Sequence, residues 1–528
     1  MAMERVRRAA GVLSGAVLLV APLSIATLII RYGVNVPVED QIDIGAFLVR
    51  NHARLFPSIS DLFSQHNESR KVLPRLVMFY MAKLTHWNVK FEMLTSLVIA
   101  CATVAALWVL ARRFLPVERA LPATALTALL VLSPAQWFNW LFGIQIVAFV
   151  PMLMLVVALA VAGSSQSIER RLLLAALCCF VANYSYANGM ILWLLAGIAL
   201  FANDRRPRFM AIWAVASVLS IGGYFVGYSR PAVSPQFVSP LTHPLSAAEF
   251  VLAFLGHPLA WTDAMTASAV IGAAGVLTVV VLAVRSRETA LPWILIASYS
   301  LISAIATASG RLGFGEWAAL EPRYTTFATG LWIAVVMLGA MQLTQFRVAA
   351  ATLLIALEVL VTISAIPKIR EAFRDRLVTR AAVQFCRVLP DTSLFRKLVY
   401  RDPQFAVRVL AELSRIGYIN PPLVDSSTIQ SSGTAQGEIE GVLRVGPRSF
   451  VIYGWTLLPD GVALITRNDT VVAISERTIG RADRPGPSWD LPLRRDLAIP
   501  GAVYNAYAYD TSTRRAYRLR GALSIAKR

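Results

Sequence analysis

The chain has 528 residues, 56% of them hydrophobic and only 15% charged. That balance excludes an ordinary soluble domain and fits a polytopic membrane protein. The net charge of +19 does not point to nucleic acid. The basic residues are spread between apolar runs instead of clustered, as expected for cytoplasmic loops and headgroup contacts.

Four cysteines are present; Cys101, Cys178 and Cys179 lie in apolar runs and Cys386 outside them. No disulfide framework and no CxxC metal spacing follow. With five histidines, a His-rich metal site is not expected. The N-terminus reads MAMERVRRAA, then an apolar run from Gly11 to about Ile30. No small-x-small cleavage site ends it, so it reads as an uncleaved signal anchor with a cytoplasmic N-terminus.

A polar region follows, roughly 31–90. It opens with VPVEDQID, residues 36–43, which sets Glu39, Asp40 and Asp43 directly after the first span. A helix is expected from Asp43 to Leu55, with Asp43 as its N-cap. Val72–Trp87 is apolar on one face but interrupted by Arg75 and Lys83. It is short for a span, and an amphipathic helix in the interface fits better. Further spans are expected at about 91–110, 121–138, 144–162, 172–186, 190–201, 209–228, 265–284, 291–308, 324–341 and 349–366, which with the first makes about eleven.

Alternate connections carry Arg112, Arg113 and Arg119; Arg170 and Arg171; Arg205, Arg206 and Arg208; Arg285 and Arg287; and Arg347, while the opposite short connections are nearly free of Lys and Arg. By the positive-inside rule, the acidic stretch, the Ser229–Asp263 loop and the C-terminal region lie outside the cytoplasm. Residues 368–424 read as a basic helical connector at the membrane surface. Residues 425–438 read as a Ser/Thr/Gly linker. From 439 to 528, short alternating strands with turn signals such as Pro459-Asp460-Gly461 and Asn468-Asp469 predict a small all-β, sandwich-like domain. In YNAYAYD, Tyr507 and Tyr509 share one face and Tyr504 takes the other.

Chemistry is sought first in the outer loop. Asp43 has a local duty as a cap; Glu39 and Asp40 have none. A transferase that moves a sugar to an alcohol needs a carboxylate to take the hydroxyl proton. A neighbouring acid could tune that base or bind a divalent metal; no other cofactor is indicated. Cations held near the outer interface could meet a phosphate group. Arg70 and Lys71, beside His66, Asn67 and Glu68, and Arg323, beside Tyr324, are the candidates. Arg75 and Lys83 read instead as cations in contact with headgroups. The Ser229–Asp263 loop, with Pro231, Pro235, Pro240, Pro244, His243 and His257, could be a lid or a plain connector. Glu358 sits inside the last span, where an acid is expensive.

One span, an outer loop that opens on an acidic pair, then helices before the second span: this layout resembles the GT-C superfamily of membrane glycosyltransferases. HNESRKVLPRL and EPRYTTFATGLW also look like segments of bacterial membrane proteins of that superfamily. The resemblance covers roughly residues 1–367. It implies Asp40 as base with Glu39 as its partner, and a sugar on a polyprenyl phosphate as donor. The acceptor would be an envelope glycan or lipid, at the outer face of a bacterial inner membrane. The rival expectations are a lipid-linked polysaccharide polymerase or ligase leaning on arginines such as Arg230, and a transporter or flippase of lipid-linked sugars.

Overall fold

The computed structural model describes residues 2–202, 204–231, 242–286, 290–342, 347–389, 392–446, 449–458, 461–479, 485–493 and 497–525. Pro235, Pro240, Arg287 and the Pro459-Asp460 turn, together with the side chain of Arg347, lie outside this description. Among the described residues, nine helices are long and apolar enough to cross a membrane: Arg8–Tyr32, Val89–Ala111, Val117–Trp140, Gly143–Ala162, Pro207–Phe225, Met265–Ser286, Leu291–Phe314, Pro322–Gln342 and Val348–Gln384. The architecture is therefore polytopic and α-helical, followed by a C-terminal β-sheet domain. Two of the eleven expected spans fall short. Ile168–Asn183 has 16 residues and Ile191–Phe201 has 11. At 1.5 Å per residue the longer covers about 24 Å, less than the hydrocarbon core. The first also carries Glu169, Arg170 and Arg171 in its opening turn, whereas the second is apolar throughout and separated from the spans by length.

The chain divides into two compact units. The first comprises Met1–Arg31, Pro57–Met78 and Glu92–Ile366, and holds most of the apolar helices. One of its tightest crossings joins Pro244–Gly256 to Met265–Ser286. A Cβ built on Gly272 would lie 1.9 Å from the Leu252 carbonyl oxygen, and one on Gly256 would lie 1.8 Å from that of Ser268. Small residues on both sides let the backbones touch, the usual device where lipid supplies no hydrophobic drive between helices. The Ser229–Asp263 segment is thus more than a loop: its second half is a 13-residue helix. The first unit also holds a two-stranded hairpin, β1 (Gln65–His66) and β2 (Ser69–Arg70), paired antiparallel.

The second unit comprises Tyr32–Phe56, Phe79–Phe91 and Pro367–Arg528. Its first helix is Asp40–Asn51. The expected N-cap at Asp43 is corrected: the helix starts three residues earlier, its cap position is Glu39, and that side chain makes no capping bond. Gly45 lets the helix meet Pro403–Arg415 closely, with its built Cβ 2.8 Å from Leu413 Cδ1 and 3.2 Å from Val409 Cγ1. The last span does not stop at Ile366 but runs on as one helix, Arg347–Gln384, past Pro367.

The C-terminal strands are β3 (Ser431–Gly446), β4 (Ser449–Thr456), β5 (Val462–Arg467), β6 (Thr470–Ile474), β7 (Arg477–Ile479), β8 (Ser488–Leu493), β9 (Val503–Asp510), β10 (Arg515–Arg520) and β11 (Leu523–Ser524). Strand begins at Ser431, so the second half of the expected linker is sheet. The sheet is one continuous ladder, β6-β5-β9-β10-β3-β4-β8-β7, instead of the two sheets of a sandwich. Its central pair, β10 on β3, is parallel. Val472 of β6 and Trp489 of β8, from distant strands of the ladder, enter the same core with Ile452, Ile465 and Tyr504. The sheet thus curls round one apolar centre, as strongly twisted sheets do. Tyr509 lies on the other face and is covered by the long helix: its hydroxyl donates to Gln384 Oε1 at 3.1 Å, and its ring meets Phe385 edge-on at 5.3 Å.

Candidate functional site

The acidic stretch forms a corner in the second unit. Val36, Pro37 and Val38 are buried, which fixes the approach, and Glu39 then turns outward. Glu39 has φ 50° and ψ −129°. This is left-handed backbone that a residue with a Cβ rarely adopts, at a cost of about 1–3 kcal/mol. Its amide donates to the Val399 carbonyl at 2.7 Å, and the Gln41 amide closes the turn onto the Val38 carbonyl at 2.9 Å. The Glu39 carboxylate accepts from Arg376 Nη2 at 3.4 Å and is half exposed.

Asp40 and Asp43 stand three residues apart on the first turn of the helix, so both face one side. Their carboxylates come within 4.8 Å of each other, a spacing that a divalent cation could bridge. At the helix N-terminus the dipole favours both as anions. Asp43 accepts from the Tyr400 hydroxyl at 2.8 Å. Burial first, then the Asp43 charge, push that hydroxyl up to about 12.

The cationic candidates belong to the first unit, where the structure assigns them different work. Arg70 directs its guanidinium at backbone: Nε donates to the Tyr224 carbonyl at 2.7 Å, and the two Nη groups to those of Phe63 and Val226. It staples the hairpin in place. Lys71 is buried at the end of that hairpin. Arg75 is no headgroup cation either: it is buried, and its Nη1 donates to the carbonyls of Asp61 at 2.9 Å and Ser64 at 2.6 Å. Lys83, in the second unit, likewise donates to the carbonyls of His52 and Arg54. His66 is buried in the hairpin.

Glu68, at the hairpin tip, pairs with Arg311 at 2.9 Å, both side chains a quarter to a third exposed. Arg323 pairs through Nε with Glu321, and its guanidinium lies 5.2 Å from the Tyr324 ring centre. Tyr324 is buried and stacked on Phe254 at 5.6 Å. The Tyr186 hydroxyl lies within electrostatic reach of Tyr324, Arg323, Arg311 and Glu68, so these residues form one polar cluster. Behind it, Asn139 Nδ2 donates to the Arg323 carbonyl at 3.1 Å and to Thr326 Oγ1 at 2.8 Å, and accepts from Gln145 at 2.7 Å. Sequence reasoning named Glu68, Arg323 and Tyr324 here and missed Arg311 and Tyr186. On the orientation the loop charges predict, Arg311 and Arg323 flank an outer connection that the positive-inside rule would leave free of them. That exception was the available signal.

No family model matches this chain, and no curated protein does. Among solved structures, it is similar to the archaeal oligosaccharyltransferase AglB of Archaeoglobus fulgidus, described in complex with an inhibitory peptide and a dolichol-phosphate, at 13% identity and a TM-score of 0.42. The alignment covers 80% of this chain and 62% of that one, so this chain spans less than two thirds of the length of the protein it matches.

Proposed function

We propose that the protein is a membrane glycosyltransferase that moves a sugar from a polyprenyl-phosphate donor to an envelope glycan or lipid acceptor. Asp40 takes the acceptor hydroxyl proton, and Glu39 and Asp43 set its electrostatic surroundings. As the glycosidic bond forms, the sugar–phosphate bond breaks and its electrons go to the phosphate. That growing charge needs cations held at the donor phosphate. The observation that carries the reading is the Glu39 backbone. An acidic residue held at φ 50° with no side-chain capping bond is backbone strain directly beside Asp40, and such strain gathers at functional sites. The inverting course, the outer face of a bacterial inner membrane and the bridging divalent cation belong to this same reading.

The test is Asp40→Asn in proteoliposomes with a polyprenyl-phosphate sugar, followed by mass spectrometry of the products. The expected outcome is a fall in transfer of about 10²-fold or more, with the thermal unfolding midpoint unchanged. Wild-type turnover in the variant would sink the assignment of Asp40. Movement of the lipid-linked sugar across the bilayer with no new glycosidic bond would make the protein a flippase instead.

A further inference from the structure

The C-terminal ends of two spans, Val89–Ala111 and Gly143–Ala162, flank a groove of about 270 Å³. We infer that this groove holds an anionic phospholipid, its phosphate at Arg113 and one acyl chain laid between the two helices. The inference stands independently of the transferase reading, since it concerns a resident lipid and not a reacting one.

The lining changes character along the helix axes. Arg113, Ser164 and Gln166, just past the two helix ends, make a polar mouth. Ala106 and Val109 of one helix, and Val157 and Val161 of the other, line the deeper part. From Arg113 back to Ala106, and from Ser164 back to Val157, is about two helical turns. At a rise of 1.5 Å per residue, the apolar wall therefore reaches about 10 Å from the mouth into the bilayer. Small side chains at Ala106 and Ala160 leave the space open between the helices.

The mouth is built to take an anion. Arg113 Nη1 donates to the Ala160 carbonyl and so covers the negative end of that helix, which would otherwise repel one. Gly163 makes room for it: a Cβ there would lie 3.2 Å from Nη1. Arg113 is exposed, and its Nε and Nη2 have no partner among the described residues. The Ser164 hydroxyl is buried and likewise unpaired among the described residues, a deficit that a phosphate oxygen would remove. No Asp or Glu is among the lining residues.

The chemistry selects the ligand. A guanidinium fork with a hydroxyl beside it suits the oxygens of a phosphate. The apolar wall behind it receives a hydrocarbon chain and offers nothing to the polar remainder of a soluble phosphate ester. The connections 111–120 and 163–172 carry five Arg against two Glu, and that excess favours a headgroup of net negative charge over a zwitterionic one. The loop charges also predict that both helices end on the cytoplasmic side, where basic pockets between spans gather acidic headgroups.

The test uses the full-length protein in detergent, titrated with phosphatidylglycerol, phosphatidylcholine or inorganic phosphate and followed by native mass spectrometry and thermal unfolding. Phosphatidylglycerol is expected to bind more tightly than phosphatidylcholine and to raise the unfolding midpoint, with no effect of phosphate alone. Arg113→Gln should weaken that binding at least about fivefold. Arg113 also holds the Ala160 carbonyl, so Ala106→Phe, which fills the groove and leaves the mouth intact, repeats the test if Arg113→Gln lowers the lipid-free midpoint. A phosphatidylglycerol with a photoactivatable diazirine on its acyl chain should label peptides containing 106–109 and 157–161 in the wild type, and not in Ala106→Phe. The inference is overturned if phosphatidylcholine binds equally well, if phosphate alone stabilises as much, if the label falls elsewhere, or if the variants that stay folded bind phosphatidylglycerol like the wild type.

Discussion

Tyr400 shows how a single side chain ties the acidic corner down. It is nine-tenths buried, and its hydroxyl donates to Asp43. Loss of that bond in Tyr400→Phe should cost about 1–2 kcal/mol near neutral pH. The pH dependence has a definite sign. The hydroxyl sits at about 12 when folded against an ordinary 10, so its contribution is complete below pH 10 and fades as pH climbs to 12. The stability gap between wild type and variant, followed by urea unfolding, should therefore close across that window; a constant gap would mean that the hydroxyl titrates alike in the folded and unfolded chain. Glu39 and Asp40 were legible in the sequence because acids that dense next to an apolar run have no local task. Tyr400 and Arg376 were not. They reach the corner from 357 and 337 residues away, and one sequence carries no record of such pairings. The surroundings of Arg70 were hidden for the same reason: a surface-looking cation says nothing of the carbonyls that receive its donors.

Elements were legible where length and periodicity agree. Among the described residues, nine of the apolar runs form helices long enough to cross a membrane, while the runs at 172–186 and 190–201 form helices that fall short. The sheet strands were visible as alternation, but not the parallel pairing of β10 on β3, because register between strands some 80 residues apart leaves no local trace. The helix pair Pro244–Gly256 and Met265–Ser286 makes a sharp prediction at this scale. Gly272→Ala puts a methyl group against the Leu252 carbonyl, and backbone cannot step aside cheaply. The variant should lose about 1–3 kcal/mol and unfold at a lower temperature in detergent. Gly11→Ala, with nothing within 4 Å of the added carbon, should leave the midpoint where it was.

For the whole molecule, orientation is the property on which the functional reading depends. The loop charges predict that the 312–321 connection faces outward and Arg285 inward. A cysteine placed at exposed Trp317 should react with an impermeant maleimide in intact cells, and one placed at Arg285 should react only after lysis. The native Cys386 should stay silent, since burial pushes its thiol up to about 12 and the reactive thiolate is scarce at neutral pH. Labelling of both positions from outside, or the reverse pattern, would overturn the orientation and remove the outer-face donor with it.

The second unit draws on three separate stretches of chain, 32–56, 79–91 and 367–528. During synthesis the acidic corner emerges early, yet Arg376, Val399 and Tyr400 leave the ribosome long afterwards. At about 5–20 residues per second, the 357 residues between Asp43 and Tyr400 take roughly 20–70 s. Through that interval the nascent chain has the acids but not the contacts that bend Glu39 into its strained turn. Assembly of the corner is therefore timed to the last third of translation, and a chain released early carries every apolar span up to Ile366 without a finished acidic corner.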